Sequence, residues 1–165
     1  MRNDIEIRRA GPGDVPLLAE MRVRSYVERH ASDDVGAEAF RRASEAAFGA
    51  ALGDGSLRTW LAFDGERPVG TASLMFLPSL PRLGVAVVRD GRVRNVYVEP
   101  THRRRGIALA LMRVVLDEAA SANVDRLTLG TSTLGRSLYE RLGFVQKEDE
   151  LIYESGSDSQ RSSSL

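Results

Sequence analysis

Between Val93 and Ala119 the chain passes from an apolar stretch, through a proline and a basic, glycine-containing turn, into a long amphipathic segment. Val93–Val98 has the composition of a strand, and Pro100 ends it. Ala108, Leu111, Met112, Val115, Leu116 and Ala119 then recur at helical spacing, as on a helix buried along one side. Arg103, Arg104, Arg105 and Gly106 lie between the two. A strand feeding such a turn at a helix start is built to hold a phosphate group. First-turn N–H groups lack partners within the helix, and the helix dipole places positive potential there. Gly106 lets a ligand reach the backbone with no side chain in the way. The N–H groups from Arg103 through Ala108 are expected to form the cradle, with the three arginines adding field and contacts. Taken without that context, the arginines also read as a solvated charge run or a patch for an acidic partner.

Spacing narrows the phosphate ligand. A Walker loop needs a Gly-Lys pair, which the chain lacks, and no G-x-G-x-x-G follows a first strand. What stands here is R-x-x-G-x-A: Arg103, Gly106 and Ala108. It resembles the pyrophosphate-binding segment of the GCN5-related N-acetyltransferases (GNAT), written Q/R-x-x-G-x-G/A, which holds acetyl-coenzyme A. A second motif, Leu138-Tyr139-Glu140-Arg141-Leu142-Gly143-Phe144, resembles that family's closing L-Y-E-x-L-G-F. Physically it is a short helix with Leu138 and Leu142 on one face, Gly143 at a left-handed cap and Phe144 opening a strand. The motifs span Asn95 to Phe144, and the element order fits over residues 1–154.

The resemblance implies an α+β fold in α/β/α layers: a twisted, mixed, mostly antiparallel sheet flanked by helices, its fourth and fifth strands splayed around coenzyme A. It implies an acetyl-coenzyme A-dependent N-acetyltransferase acting on a primary amine of a small molecule or peptide by direct attack in a ternary complex. The alternative is a non-catalytic acyl-coenzyme A-binding regulatory domain of the same fold. Val96 and Val98 would bond the pantetheine arm through their backbone, and Arg103, Arg104, Arg105, Gly106, Ile107 and Ala108 would hold the pyrophosphate. Ser132 stands where many relatives carry a cofactor-contacting asparagine. Tyr139 is the catalytic candidate. A thiol titrates near about 8.5 and a phenol near about 10, so the phenol can protonate the departing thiolate. Packing beside the cofactor is its other reading.

No single general base emerges. Arg92 stands where the histone-modifying branch carries a glutamate; Asp90, Glu99 and a water on Asn95 remain, with Glu99 expected to be an exposed structural residue. Strand alternation sets Asn95 and Tyr97 opposite Val96 and Val98. Asn95 would meet a substrate amine, a water or an internal loop. Tyr26, Asn95 and Tyr97 are the substrate-binding candidates, with Arg22 and Trp60 also able to line the acceptor pocket; His102 reads as structural.

The formal charge is zero, with 23 basic and 23 acidic residues, which argues against a nucleic-acid binder acting through bulk electrostatics. No cysteine and two separated histidines give no basis for a disulfide framework or a metal centre. No apolar run approaches the roughly 20 residues of a membrane span, and the charged start is unlike a signal peptide. A cytoplasmic protein without membrane or nucleic-acid partners is expected, with a homodimer a possible assembly.

The expected order is β-α-α-β-β-β-α-β-α-β. Ile5–Ala10 is a strand; Asp14 caps a helix to His30 with Leu17, Leu18 and Met21 inward; Phe40, Ala43, Ala47 and Ala51 mark a second helix. Thr59–Phe63 and Pro68–Phe76 form a hairpin across Asp64–Arg67. Arg89-Asp90-Gly91 suggests another hairpin, joining Val85–Val88 to Arg92–Val98. Arg126–Thr131 and Phe144–Glu154 complete the strands. Residues 1–154 read as one domain, and Ser-rich 155–165 as a disordered tail.

Overall fold

The computed structural model describes residues 5–30, 36–81, 83–84, 89–132 and 135–147. They belong to two compact units, Met1–Gly130 and Thr131–Leu165. The first runs β1 (Ile5–Arg9), α1 (Val15–His30), α2 (Ala37–Gly53), β2 (Leu57–Asp64), β3 (Arg67–Leu77), β4 (Asp90–Val98), α3 (Ile107–Ser121) and β5 (Arg126–Thr128). Short 3₁₀ turns occupy Pro12–Asp14 and Pro100–His102. The five strands lie in sequence order in one sheet, antiparallel from β1 to β4 and parallel between β4 and β5. This is the mixed, mostly antiparallel sheet expected from the sequence. The β2–β3 hairpin turns through Gly65, whose φ of +60° suits the first central position of a two-residue loop.

Each face of the sheet carries helices. On one, Leu57 and Leu61 of β2 and Tyr97 of β4 share a core with Leu18 and Met21 of α1 and Phe48 of α2. The polar members of that face are buried too, and Thr59 and Ser73 satisfy each other across β2 and β3 at 2.9 Å. On the other face α3 buries Ile107, Leu111, Met112, Val115 and Ala119, each large side chain contributing about 1.5–3 kcal/mol. Gly70 permits that seat: a Cβ there would lie 3.1 Å from Leu111 Cδ1 and 3.3 Å from Ile107 Cγ2. Arg58 of β2 pairs with Glu118 of α3 across the same layer.

Several local expectations change. Asp90 and Gly91 are strand residues rather than a turn, paired with Leu77 and Phe76 on one side and with Arg126 and Leu127 on the other. Glycine serves close packing at position 91, where a Cβ would sit 3.0 Å from Leu127 Cδ1 and 3.1 Å from Leu74 Cδ1. In α2, Ala43 and Ala47 are exposed; Ser44 and Phe48 are buried, and Ala51 and Leu52 pack beside them. The larger side chains Phe48 and Leu52 claim the interior and rotate the helix accordingly. β5 stops at Thr128, and Phe144–Lys147 lie outside any strand. Val85–Val88, residues 148–154 and the 155–165 tail lie outside the described residues.

In the second unit, α4 (Arg136–Arg141) follows Gly135, whose N–H donates to Ser132 O at 3.1 Å. It ends as the sequence suggests. Gly143 has φ +89°, its N–H donates to Glu140 O at 3.0 Å, and the Phe144 N–H donates to Tyr139 O at 3.0 Å. This pair of bonds satisfies the last carbonyls of the helix.

Asp14 does not cap α1. Its carboxylate accepts the Gly11 N–H at 2.8 Å and the Arg8 guanidinium at 2.7 and 2.9 Å, clamping β1 to the turn before α1. The Arg8 hydrogen bond holds its carboxyl below the usual aspartate range, aided by the Gly11 N–H against a burial penalty. A lowered folded pKa adds stability that is complete above the ordinary aspartate range and fades as pH falls through the lowered value. Asp14→Asn should therefore cost about 1 kcal/mol at neutral pH and less in acid. Urea denaturation of both proteins across that window measures it; equal loss at every pH would contradict the assignment.

Candidate functional site

After β4, the turn that the sequence marks as a phosphate cradle is built from backbone. The first bond within α3 is Ala110 N–H to Gly106 O, 3.0 Å. The N–H groups ahead of it therefore have no acceptor inside the helix. Arg104 (φ +63°) and Gly106 (φ +80°) are both left-handed, a bend that turns successive N–H groups toward one side. A Cβ built at Gly106 would meet nothing within 4 Å, so its surface is open. Arg104 accepts a conformation that costs a non-glycine residue about 1 kcal/mol. One expected member drops out: the Arg103 N–H donates to Pro100 O at 3.3 Å, so the cradle begins at Arg104.

The arginines divide by role. Arg103 turns inward, its Nε donating to Val98 O at 2.9 Å and its guanidinium pairing with Glu28 at 2.6 Å. Arg105 reaches Asp64 at 3.3 Å, and His102 Nε2 lies 3.2 Å from the same carboxylate. His102 is buried. Arg104 is exposed at the head of the turn.

β4 forks away from β5. Their ladder covers only Asp90–Arg92, while β4 continues to Val98. From Val93 on, the edge of β4 away from β3 has no strand partner among the described residues, the splay that the sequence implies. Val96 and Val98 lie on this stretch, although the Val98 carbonyl already serves Arg103. Ile107 is buried in the seat of α3 and Ala108 half-buried, so only their backbones can face a ligand.

A bulge interrupts β4, and it corrects the expected alternation. Thr71 pairs with Tyr97 but Ser73 with Arg94, leaving Asn95 and Val96 opposite Ala72 alone. Asn95 takes φ +52° to make room. Tyr97 therefore shares its face with Arg94 and Arg92, the face toward α1, and not by simple alternation with Asn95. Among the described residues, Asn95 Nδ2 is buried without a hydrogen-bond partner.

Next to Tyr97, a cleft of about 450 Å³ is lined by Glu20, Arg24, Val27, Glu28 and Glu99. Glu99 is not the exposed residue that its place before a proline suggests. It is 8% exposed and bonded by Arg24 at 2.8 Å. Burial raises the Tyr97 phenol, and the Glu99 and Glu28 charges add to the effect. Tyr26 is about half exposed, with His30 4.2 Å and Phe40 4.9 Å from its ring. Trp60 is buried on the opposite, α3 face and lines no cleft on the α1 side. Asp90 takes hydrogen bonds from Ser79 at 2.6 Å and Arg126 at 3.2 Å. Within the second unit, Ser132 is exposed, its carbonyl accepting from Gly135 N–H and Thr131 Oγ1. Tyr139 is half-buried with Phe144 edge-on at 6.0 Å. Among the described residues, no group of three or more His, Cys, Asp or Glu could hold a metal ion, and no helix is long and apolar enough to cross a membrane.

Comparison with known proteins accounts for this arrangement. Residues 18–144 match the model of the acetyltransferase (GNAT) family. A glucosamine 6-phosphate N-acetyltransferase of Trypanosoma brucei brucei is 34% identical over 85 residues, covering 52% of this chain and 56% of that protein. Human N-acetyltransferase 8 is 33% identical over 90 residues, 52% of this chain and 37% of that one. The chain thus spans about half the length of the curated relatives it matches, or less. Among solved structures, a predicted acetyltransferase from Clostridium acetobutylicum, solved with acetyl-CoA, superposes with a TM-score of 0.80 at 26% identity, over 91% of this chain and 96% of that one. A GCN5-related N-acetyltransferase from Ralstonia eutropha JMP134 gives 0.79 at 25% identity, over 92% and 99%. With its family model matched from residue 18 to 144 and its fold shared with solved acetyltransferases, the chain belongs to the acetyltransferase (GNAT) family.

Proposed function

We propose that the protein is an N-acetyltransferase of the cytoplasm that carries an acetyl group from acetyl-coenzyme A to a primary amine. The observation that carries this reading is the unpaired edge of β4 running into the open N–H groups at the head of α3. The relative solved with acetyl-CoA supports the choice of donor. In this reading the N–H groups of Arg104–Ala108 and the Arg104 side chain hold the pyrophosphate, because their charge and dipole favour an anion. The backbone of Val96 and Val98 receives the pantetheine arm as a strand-like neighbour, and Ser132 adds a polar contact.

Acetyl-coenzyme A supplies an acyl group already activated as a thioester. In one ternary complex the N–C bond to the acetyl carbon forms and the C–S bond breaks. The amine nitrogen gives up one proton and the sulfur gains one. Glu99 and Asp90 are both engaged in hydrogen bonds, which makes each a weaker base and favours solvent as the acceptor of the amine proton. Tyr139 is proposed as the proton donor to the thiolate, on the strength of its motif.

A thiol-release screen with acetyl-coenzyme A against amino acids, amino sugars, polyamines and peptides tests the proposal. Release with one acceptor class supports it. Cofactor binding without release from any acceptor class would make the chain an acyl-coenzyme A-binding regulator.

Gly106→Asp should weaken acetyl-coenzyme A binding about tenfold or more, since it sets bulk and negative charge against the cradle. Asparagine tolerates the left-handed conformation, so Gly106→Asn is the control for backbone strain. Calorimetry on the folded proteins reads the difference, and unchanged affinity in Gly106→Asp would move the phosphate site elsewhere. Tyr139→Phe should lower turnover about 100-fold with little change in cofactor affinity, because a bond to sulfur strengthens as charge develops. Turnover within twofold of wild type, at a pH where chemistry limits the rate, would leave Tyr139 a packing residue.

A further inference from the structure

The face of β4 toward α1 carries two arginines two residues apart, Arg92 opposite Met75 and Arg94 opposite Ser73. α1 packs against β4, its Leu18 and Met21 sharing a core with Tyr97. Arg22 follows Met21 on that helix, its guanidinium 5.5 Å from the centre of the Phe40 ring. These charges are close enough to act on one another: burial lowers the pKa of Arg94, and repulsion from Arg92 and Arg22 lowers it further.

The cluster also borders the fork. A Cβ on Gly130, just beyond β5, would lie 4.0 Å from Arg92 Nη2. Arg92 Nε is buried with no hydrogen-bond partner, and so is Thr71 Oγ1, whose pairing puts it on the same face as Arg94. Arg8, Arg24, Arg58, Arg103 and Arg126 each hold a carboxylate. Neither Arg22, Arg92 nor Arg94 does so among the described residues.

Arg22 and Arg94 reach solvent and Arg92 is half-buried, so water screens part of their repulsion. The buried, orphaned Nε of Arg92 beside two further like charges nevertheless favours an anion at this place. Guanidiniums bind carboxylates and phosphates through paired N–H donors, and charge-assisted bonds of this kind are the strong ones. Resting on the acetyltransferase reading, we propose that the amine acceptor is itself anionic, with its carboxylate or phosphate seated on Arg22, Arg92 and Arg94. Arg92 then occupies its place as an anchor for the acceptor rather than as a lost base. A neutral amine of the same size leaves the cluster unpaired and is a poor substrate.

Anion binding is tested directly by following the arginine Nε–H resonances while titrating inorganic phosphate, and separately succinate. Each titration is run with and without saturating coenzyme A, which fills the pyrophosphate cradle in one arm. The expected result is a saturable shift at Arg92 that persists with coenzyme A bound. Affinity should fall at least about tenfold in Arg94→Gln and recover in part in Arg94→Lys, with no fall in melting temperature. The tighter of the two probes identifies the anionic group. In turnover, glucosamine 6-phosphate is compared with glucosamine, and amino acids with their amides. The preferred anionic acceptor should exceed its neutral partner at least about tenfold in kcat/KM, an advantage lost in Arg94→Gln mainly through KM.

The proposal falls if neither probe saturates. It falls equally if coenzyme A abolishes the shift, which would give the arginines to the cofactor, or if neutral amines react as well as anionic ones. Failure to bind coenzyme A would instead overturn the acetyltransferase reading, with the cofactor-free titration still reporting whether the arginines take an anion.

Discussion

The seat of α3 against the sheet governs everything downstream of β4. Ile107 and Leu111 lie over Gly70, where the missing side chain lets the first two turns of the helix approach the strand. That contact fixes where the N-terminus of α3 stands relative to the end of β4, and therefore where its unbonded N–H groups point. A helix dipole acts over the first turn only. A helix lifted by a single methyl group would carry that potential away from the strand edge that it must serve. The anion binding proposed for the turn would thus depend on apolar packing on its far side.

The charges around the turn work mainly as fasteners. Glu28 holds Arg103 from α1, and Asp64 holds Arg105 and His102 from the end of β2. With these side chains committed to carboxylates, the backbone and Arg104 are left as the surface of the cradle. Surface ion pairs of this kind add little stability singly. Here they restrict a loop that has to hold two left-handed residues within three positions of a helix, and their value is positional. The cluster of Arg22, Arg92 and Arg94 has the opposite character: its charges gather without acidic partners among the described residues.

What could be read from the sequence was local. The strand–turn–helix around Gly106, the tight hairpin at Gly65 and the cap at Gly143 each announce themselves within a few residues, because backbone conformation and helix ends are set by near neighbours. The family motifs are legible for the same reason. What stayed hidden depends on residues far along the chain. Glu99 is buried because Arg24, 75 residues away, pairs with it, and Glu28 reaches Arg103 across the same separation. Asp90 and Gly91 resemble a turn in sequence, but partners on both sides draw them into the sheet. The apolar spacing in α2 admits two neighbouring faces, and the bulk of Phe48 and Leu52 decides between them. The bulge has only Asn95 as a sign, a residue that tolerates left-handed backbone but does not demand it.

That bulge gives β4 two reading frames. Before it, even-numbered residues look toward α1; after it, odd-numbered residues do, so Arg92, Arg94 and Tyr97 come to stand together on one side. Point substitutions can alter which groups occupy that surface but cannot alter its parity. Loss or gain of a single codon at this place would exchange the two sides of half the strand at once, burying one set of side chains and exposing the other. Diversity at this surface is consequently open to replacement of one residue by another, and closed to a change in length by one residue.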